Sequence, residues 1–177
     1  MRRAIALVVL SSLLPLAGCS VANSVTGRAT KETPSELFDP CTIPDDALRS
    51  VDVDPATAEP DFVGVQFTDW EACSWEAGRY YLTIAATAEV TVEEFRGRYS
   101  SADVRPVAIG TREAYTFRST YESQRGLCDL VYPSSRGTLL FRTDTKATEL
   151  LREEGLREDP CTVVLRTANA LDHYIPD

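Results

Sequence analysis

Histidine is nearly absent from this 177-residue chain, which holds one, and the glycine-rich and paired-ligand signatures of common catalytic folds are missing. A Ser-His-Asp or Cys-His hydrolase needs a base that titrates near neutrality. The only candidate is His173, near the carboxyl end of the last helical stretch, where the helix dipole favours a cation without any catalytic role. No G-x-S-x-G elbow accompanies it, and G-x-x-x-x-G-K-[ST], G-x-G-x-x-G and H-E-x-x-H are all lacking, so nucleotide and zinc-peptidase chemistry have no support. Positive charge is scarce too: 18 Lys and Arg stand against 27 Asp and Glu, a formal charge of -9. Such a surface repels phosphates, which excludes non-specific nucleic-acid binding. Long apolar runs are also wanting. The longest, Ala4 to Leu16, is broken by Ser11, Ser12 and Pro15 and falls short of the roughly 20 residues that span a hydrocarbon core.

That short run nevertheless carries an address. Arg2 and Arg3 precede it and Leu16-Ala17-Gly18-Cys19 follows it, the layout of a secretory signal peptide over residues 1-18. The LAGC ending resembles the lipobox of bacterial lipoproteins. The resemblance implies that Cys19 receives a diacylglycerol, becomes the mature amino terminus and holds the chain on the outer face of the membrane. Each buried CH₂ adds about 0.8 kcal/mol, so two or three acyl chains of the palmitate kind anchor a protein without a spanning helix. Loss of Arg2 and Arg3 takes the formal charge from -9 to -11. Residues 19-36 are polar and aperiodic beyond the cysteine and read as a tether, with one extracytoplasmic domain over residues 37-177.

Cys41, Cys73, Cys128 and Cys161 remain, an even number in an exported chain, and two disulfides are expected. A four-thiolate zinc site usually pairs ligands two to four residues apart, and none of these lies so close to another, so no metal and no cofactor are expected. Three connectivities are possible; Cys41 with Cys73 and Cys128 with Cys161 is preferred because each half then carries its own staple.

The tetrapeptide Asp-Pro-Cys-Thr occurs at Asp39 to Thr42 and again at Asp159 to Thr162. Asp suits an N-cap and Pro the first helical position, so both copies read as helix starts. After the second, Val164, Ala168, Leu171 and Ile175 form one apolar stripe on a closing helix. After the first, a helix restarts behind Pro44 with Leu48 and Val51 turned inward. Between them the period becomes two. Tyr80 to Thr87, Val104 to Ile109, Ala114 to Phe117, Leu127 to Tyr132 and Thr138 to Thr143 read as strands, with Phe62 to Thr68 and Ala72 to Trp75 as further candidates. Pro133 to Gly137 reads as a hairpin turn of about five residues. Thr91 and Glu94 form a capping box, Val90 and Phe95 stand at staple positions, and Gly97 limits that helix. Another helix is expected from Thr145 to Glu154, capped by Asp144 and closed by Gly155. The sum is an α+β domain, a mostly antiparallel sheet packed with helices.

With LAGC, FDPCTIPDDAL, Cys73-Ser74-Trp75, a late Cys128 and the terminal DPCTVVLRTANAL, the chain resembles a family of actinobacterial secreted lipoproteins catalogued as a domain of unknown function. The resemblance covers nearly the whole mature chain and implies an address and a disulfide frame, with no catalytic residue to carry over. The order of elements also looks loosely like the Mog1/PsbP type of sandwich, some lipoprotein members of which are thought to handle lipids or envelope glycans.

Ten acids and a single base, Arg49, lie between Asp39 and Glu76. This segment reads as a solvated acidic face, a docking surface for a basic protein partner, or a weak calcium site at Asp52 and Asp54. Trp70, Trp75, Tyr80 and Tyr81, with Phe62 and Phe67, gather the aromatics in one region. Aromatics at strand spacing are usually core; an open face would give a groove for an acyl chain or a sugar, oriented by Arg79 and Gln66. The expectation is a non-enzymatic binding or accessory module of the envelope. The alternatives are a hydrolase using two carboxylates and a calcium-dependent or structural docking protein.

Overall fold

The computed structural model describes residues 36-62, 64-98, 103-150 and 158-177. Among them are six strands: β1 (Glu71–Glu76), β2 (Tyr80–Thr87), β3 (Asp103–Ile109), β4 (Arg112–Arg118), β5 (Leu127–Ser134) and β6 (Gly137–Thr145). All pair antiparallel in one sheet of order β1-β2-β6-β5-β4-β3. The same residues hold four α-helices: α1 (Asp45–Ser50), α2 (Val92–Arg98), α3 (Ala147–Leu150) and α4 (Pro160–Leu171). The α+β architecture is therefore the one expected.

Period-two alternation gives the sheet two apolar faces. Cys73, Trp75, Leu82, Ile84, Cys128, Leu130, Tyr132, Leu139 and Phe141 face Val164, Ala168 and Leu171 of α4, with Phe38, Ile43 and Leu48 completing the main core. On the opposite side Ala85, Phe117, Val131 and Leu140 cluster with Val90, Val92 and Phe95. Phe95 meets Phe117 edge to face at 5.2 Å.

Both Asp-Pro-Cys-Thr copies start helices. The Asp39 carboxylate accepts from the Cys41 N–H at 2.9 Å and opens a 3₁₀ turn, Pro40–Thr42, while Asp159 accepts from the Thr162 N–H at 3.0 Å and opens α4. Each cysteine is bridged to a strand: Cys41 to Cys73 of β1 and Cys161 to Cys128 of β5, with Cα–Cα distances of 5.3 and 5.1 Å. This is the preferred pairing. The capping box forms at α2, where Thr91 N–H donates to Glu94 Oε2 at 2.9 Å and Glu94 N–H to Thr91 Oγ1 at 3.2 Å.

Four expectations change. Phe62 to Thr68 is not a strand: the Asp61 carboxylate accepts from Gly64 N–H at 2.7 Å, Gly64 sits at φ 86°, and a tight turn joins Phe62 and Val65. The hairpin turn holds two residues rather than five, since Ser134 pairs with Gly137 and Pro133 with Thr138. In such a loop the Pro133 nitrogen points away from β6, toward β4, whose pairing has ended at Val131, so its missing N–H costs nothing. Gly137 is required there: at φ 118° a Cβ would lie 2.3 Å from the Thr87 carbonyl oxygen. Asp144 and Thr145 belong to β6 instead of capping a helix; α3 starts at Ala147, and the rest of the expected helix with Gly155 lies outside the described residues. Finally, α2 runs through Gly97 to Arg98.

Two measurements test this frame. Replacing the second bridge with Cys128→Ala/Cys161→Ala should cost about 2 to 4 kcal/mol of unfolding free energy, read by denaturant titration. Burial raises the pKa of Asp159, but hydrogen bonds from Arg118 and from the Thr162 and Cys161 amides outweigh it and hold the carboxyl below its usual range. A depressed carboxylate stabilises above its unfolded pKa and loses that contribution as the pH falls through the folded one. The unfolding midpoint should therefore drop between about pH 5 and pH 2, and Asp159→Asn should flatten that drop.

Candidate functional site

Two clefts draw together the chemistry that sequence spreads out. The larger, about 420 Å³, opens where the β1–β2 turn, the ends of α1 and β6, α3 and the first turns of α4 meet. Pro160, Val163 and Tyr80 give it an apolar floor, and Asp52, Arg79, Glu149, Glu158 and Arg166 give it charge of both signs. Local physics places each wall. The end of α1 forms a Schellman motif, with Val53 N–H bonded to the Leu48 carbonyl and Asp52 N–H to that of Arg49. The residue in the left-handed position, usually glycine, is Asp52 at φ 61°. Tyr80 Oη donates to the Val51 carbonyl at 3.1 Å, tying β2 to that same turn, and burial raises the pKa of its phenol. Arg166 forms an ion pair with Glu158 across the start of α4, and this contact raises the Arg166 pKa further. Asp52 lies near enough to Arg166 to help raise its pKa, and Arg79 stands on the same lining, so the cleft presents both signs of charge to a ligand.

The smaller cleft, about 320 Å³, lies beside the edge strand β1 and is lined by Phe62, Val65, Gln66, Phe67 and Trp70 with Asp39, Asp61 and Glu71. Phe62 is its centre. Its ring meets Phe67 at 5.2 Å and Trp70 at 5.7 Å, both edge to face.

The structure does not assemble the six groove candidates into one site. Strand alternation sends Trp75, 2% exposed, into the main core and turns Tyr81 to the other face under Lys146 Nζ at 5.1 Å. Arg79 and Tyr80 line the larger cleft, whereas Gln66 and Trp70 line the smaller. Glu158 and Arg166 escaped the sequence reading because they reach the cleft only through the docking of α4. Asp52 had a signal of its own: a helix end followed by no glycine at the position that favours one.

Carboxylates line both clefts, Asp52, Glu149 and Glu158 in the larger and Asp39, Asp61 and Glu71 in the smaller. His173 lies tilted against Tyr174 with ring centroids 3.8 Å apart and lines neither cleft. Burial raises the pKa of Asp144, with Arg142 opposing, but Asp144 too lies outside both clefts. Its neighbour Asp129, 2% exposed, is held by Arg142 through bonds of 2.6 and 2.8 Å, the geometry of a structural ion pair. Among the described residues, no three of His, Cys, Asp and Glu converge as a metal site would need. Asp54 instead caps a 3₁₀ turn, accepting from Ala56 N–H at 3.0 Å. No described helix is long and apolar enough to cross a membrane.

Glycine at position 52 would relieve the left-handed strain, so Asp52→Gly should leave stability unchanged or raise it by about 0.5 kcal/mol, measured by denaturant titration. A loss above about 1 kcal/mol would show that the carboxylate supports the fold.

Comparisons with curated proteins and with solved structures each return no match. Residues 14–173 match the family model described as a protein of unknown function, DUF3558. That span takes in both disulfides and both clefts, and the chain belongs to the DUF3558 family.

Proposed function

We propose that this protein is a lipid-anchored, extracytoplasmic binding module, tethered through Cys19, whose ligand occupies the cleft beside Tyr80. The observation that carries the reading is the use of its cysteines. Four are consumed pairwise in a disulfide frame suited to an oxidising compartment, and the fifth stands alone at the end of LAGC. The cleft supports binding rather than turnover. It offers Arg79, Asp52 and a half-buried phenol over an apolar floor, the few convergent polar groups that orient a small ligand. A ligand carrying both an ammonium and a carboxylate matches this pair of opposite charges, with Arg79 taking the carboxylate in its planar fork.

The anchor and the ligand are tested separately. Cys19→Ser should release the protein from membranes or block its processing, read by fractionation and intact mass; unchanged membrane retention would refute the anchor. Native mass spectrometry of the full chain, gently recovered from its own envelope, should show an added small-molecule mass that Arg79→Ala removes. A bare protein, or a mass indifferent to Arg79, would refute the cleft as the ligand site.

A further inference from the structure

The aromatic cleft beside β1 calls for a different occupant. Large apolar side chains exposed among the described residues are Val65 at 51%, Phe67 at 53% and Tyr121 at 64%, and two of the three line this one groove. The groove is also braced. The Cys41–Cys73 bridge fixes its floor, Ser74 Oγ donates to the Asp61 carbonyl at 2.5 Å, and Glu59 and Ser74 exchange backbone bonds of 2.9 and 2.8 Å. Asp61 then caps Gly64 and sets the turn that presents Val65, Gln66 and Phe67. Aromatic surface held open by a covalent bridge and a network of hydrogen bonds is preorganised for contact.

Charge selects the partner. Asp39, Asp61 and Glu71 line the groove, no Lys or Arg is among the described residues of its lining, and the surrounding segment from Asp39 to Glu76 has ten acids against Arg49 alone. Anionic headgroups and polyphosphates are repelled from such a site. A lysine or arginine side chain fits it doubly, its stem lying on the rings and its cation meeting both the aromatic faces and the carboxylates. The backbone points the same way. Ser74 and Glu76 turn their backbone groups outward from β2, to Glu59 and to Asp54 and Thr57, and strand alternation turns Ala72, which lines the groove, in the same direction. With Ser74 and Glu76 already covered, an extended peptide entering there can bond to the sheet edge at Ala72 while its alternate side chains enter the groove.

We propose that the groove formed by Phe62, Phe67 and Trp70 beside β1 docks an extended, Arg- or Lys-bearing segment of a protein partner. The site is separate from the Tyr80 cleft and stands or falls independently of it.

The test uses the full chain in detergent and three probes: a capped hexapeptide alternating Arg and Val, its Glu-Val counterpart, and a chitin trisaccharide. The Arg peptide should bind with a change in Trp fluorescence, weaken at least about fivefold between about 50 and about 500 mM salt, and shift the amide resonances of residues 64-72. Phe67→Ala and Glu71→Gln change exposed residues, and each should weaken it about three- to tenfold while circular dichroism stays unchanged. Arg79→Ala should leave it unaltered. Equal binding of the Glu peptide, preference for the trisaccharide, or shifts that avoid residues 64-72 would each overturn the proposal.

Discussion

The start of α4 is the point on which the main core depends. Three consecutive residues tie it to three adjacent strands. The Asp159 carboxylate caps the helix and pairs with Arg118 of β4, the Pro160 carbonyl accepts from Thr143 Oγ1 of β6 at 3.0 Å, and Cys161 is bridged to Cys128 of β5. These fix the axial position of the helix, and its apolar stripe then follows the pleat of β5 and β6. Without that registration Val163 and Arg166 would not stand opposite Tyr80, and the larger cleft would lose a wall. At the far end Arg112 of β4 contacts both the Asp172 carboxylate and the Pro176 carbonyl, so the helix is held at both ends of the sheet.

The first Asp-Pro-Cys-Thr copy uses the same local chemistry for less. Its 3₁₀ turn ends at Thr42, Pro44 breaks the chain direction, and α1 restarts with Asp45 and Asp46 in its first turn. Acids there suit the positive end of the helix, and the Arg49–Asp45 pair at 2.9 Å spans one turn of it. Because the copy is bridged to the edge strand β1, it braces the segment that leads into the aromatic groove.

Much of this was legible in sequence because it is local. The capping box, both helix starts, the alternation of β2 and the stripe Val164, Ala168, Leu171 depend on neighbours within one or two turns. Phe62 to Thr68 misled because its β-forming residues are overruled by one side-chain hydrogen bond from Gly64 to Asp61. The hairpin misled because Pro133 looks like a breaker until the end of β4 pairing makes its place harmless. The grouped aromatics were visible, but alternation distributes Trp75, Tyr80 and Tyr81 among the core, one cleft and the opposite face. The mixed-charge cleft was not visible, since Asp52, Arg79 and Arg166 meet only in three dimensions.

The order of the sheet also bears on how the chain matures. In a polypeptide emerging amino end first, β1 and β2 appear early, yet β6, the strand that joins β2 to β5, comes among the last. The halves must wait for each other, which lengthens the time that strand edges stay open. The cysteines suit that schedule. Their two loops follow one another without overlapping, at separations of 32 and 33 residues, so Cys41, Cys73, Cys128 and Cys161 oxidised in that order find their native mates directly. Such a frame needs an oxidant as it folds but little reshuffling afterwards.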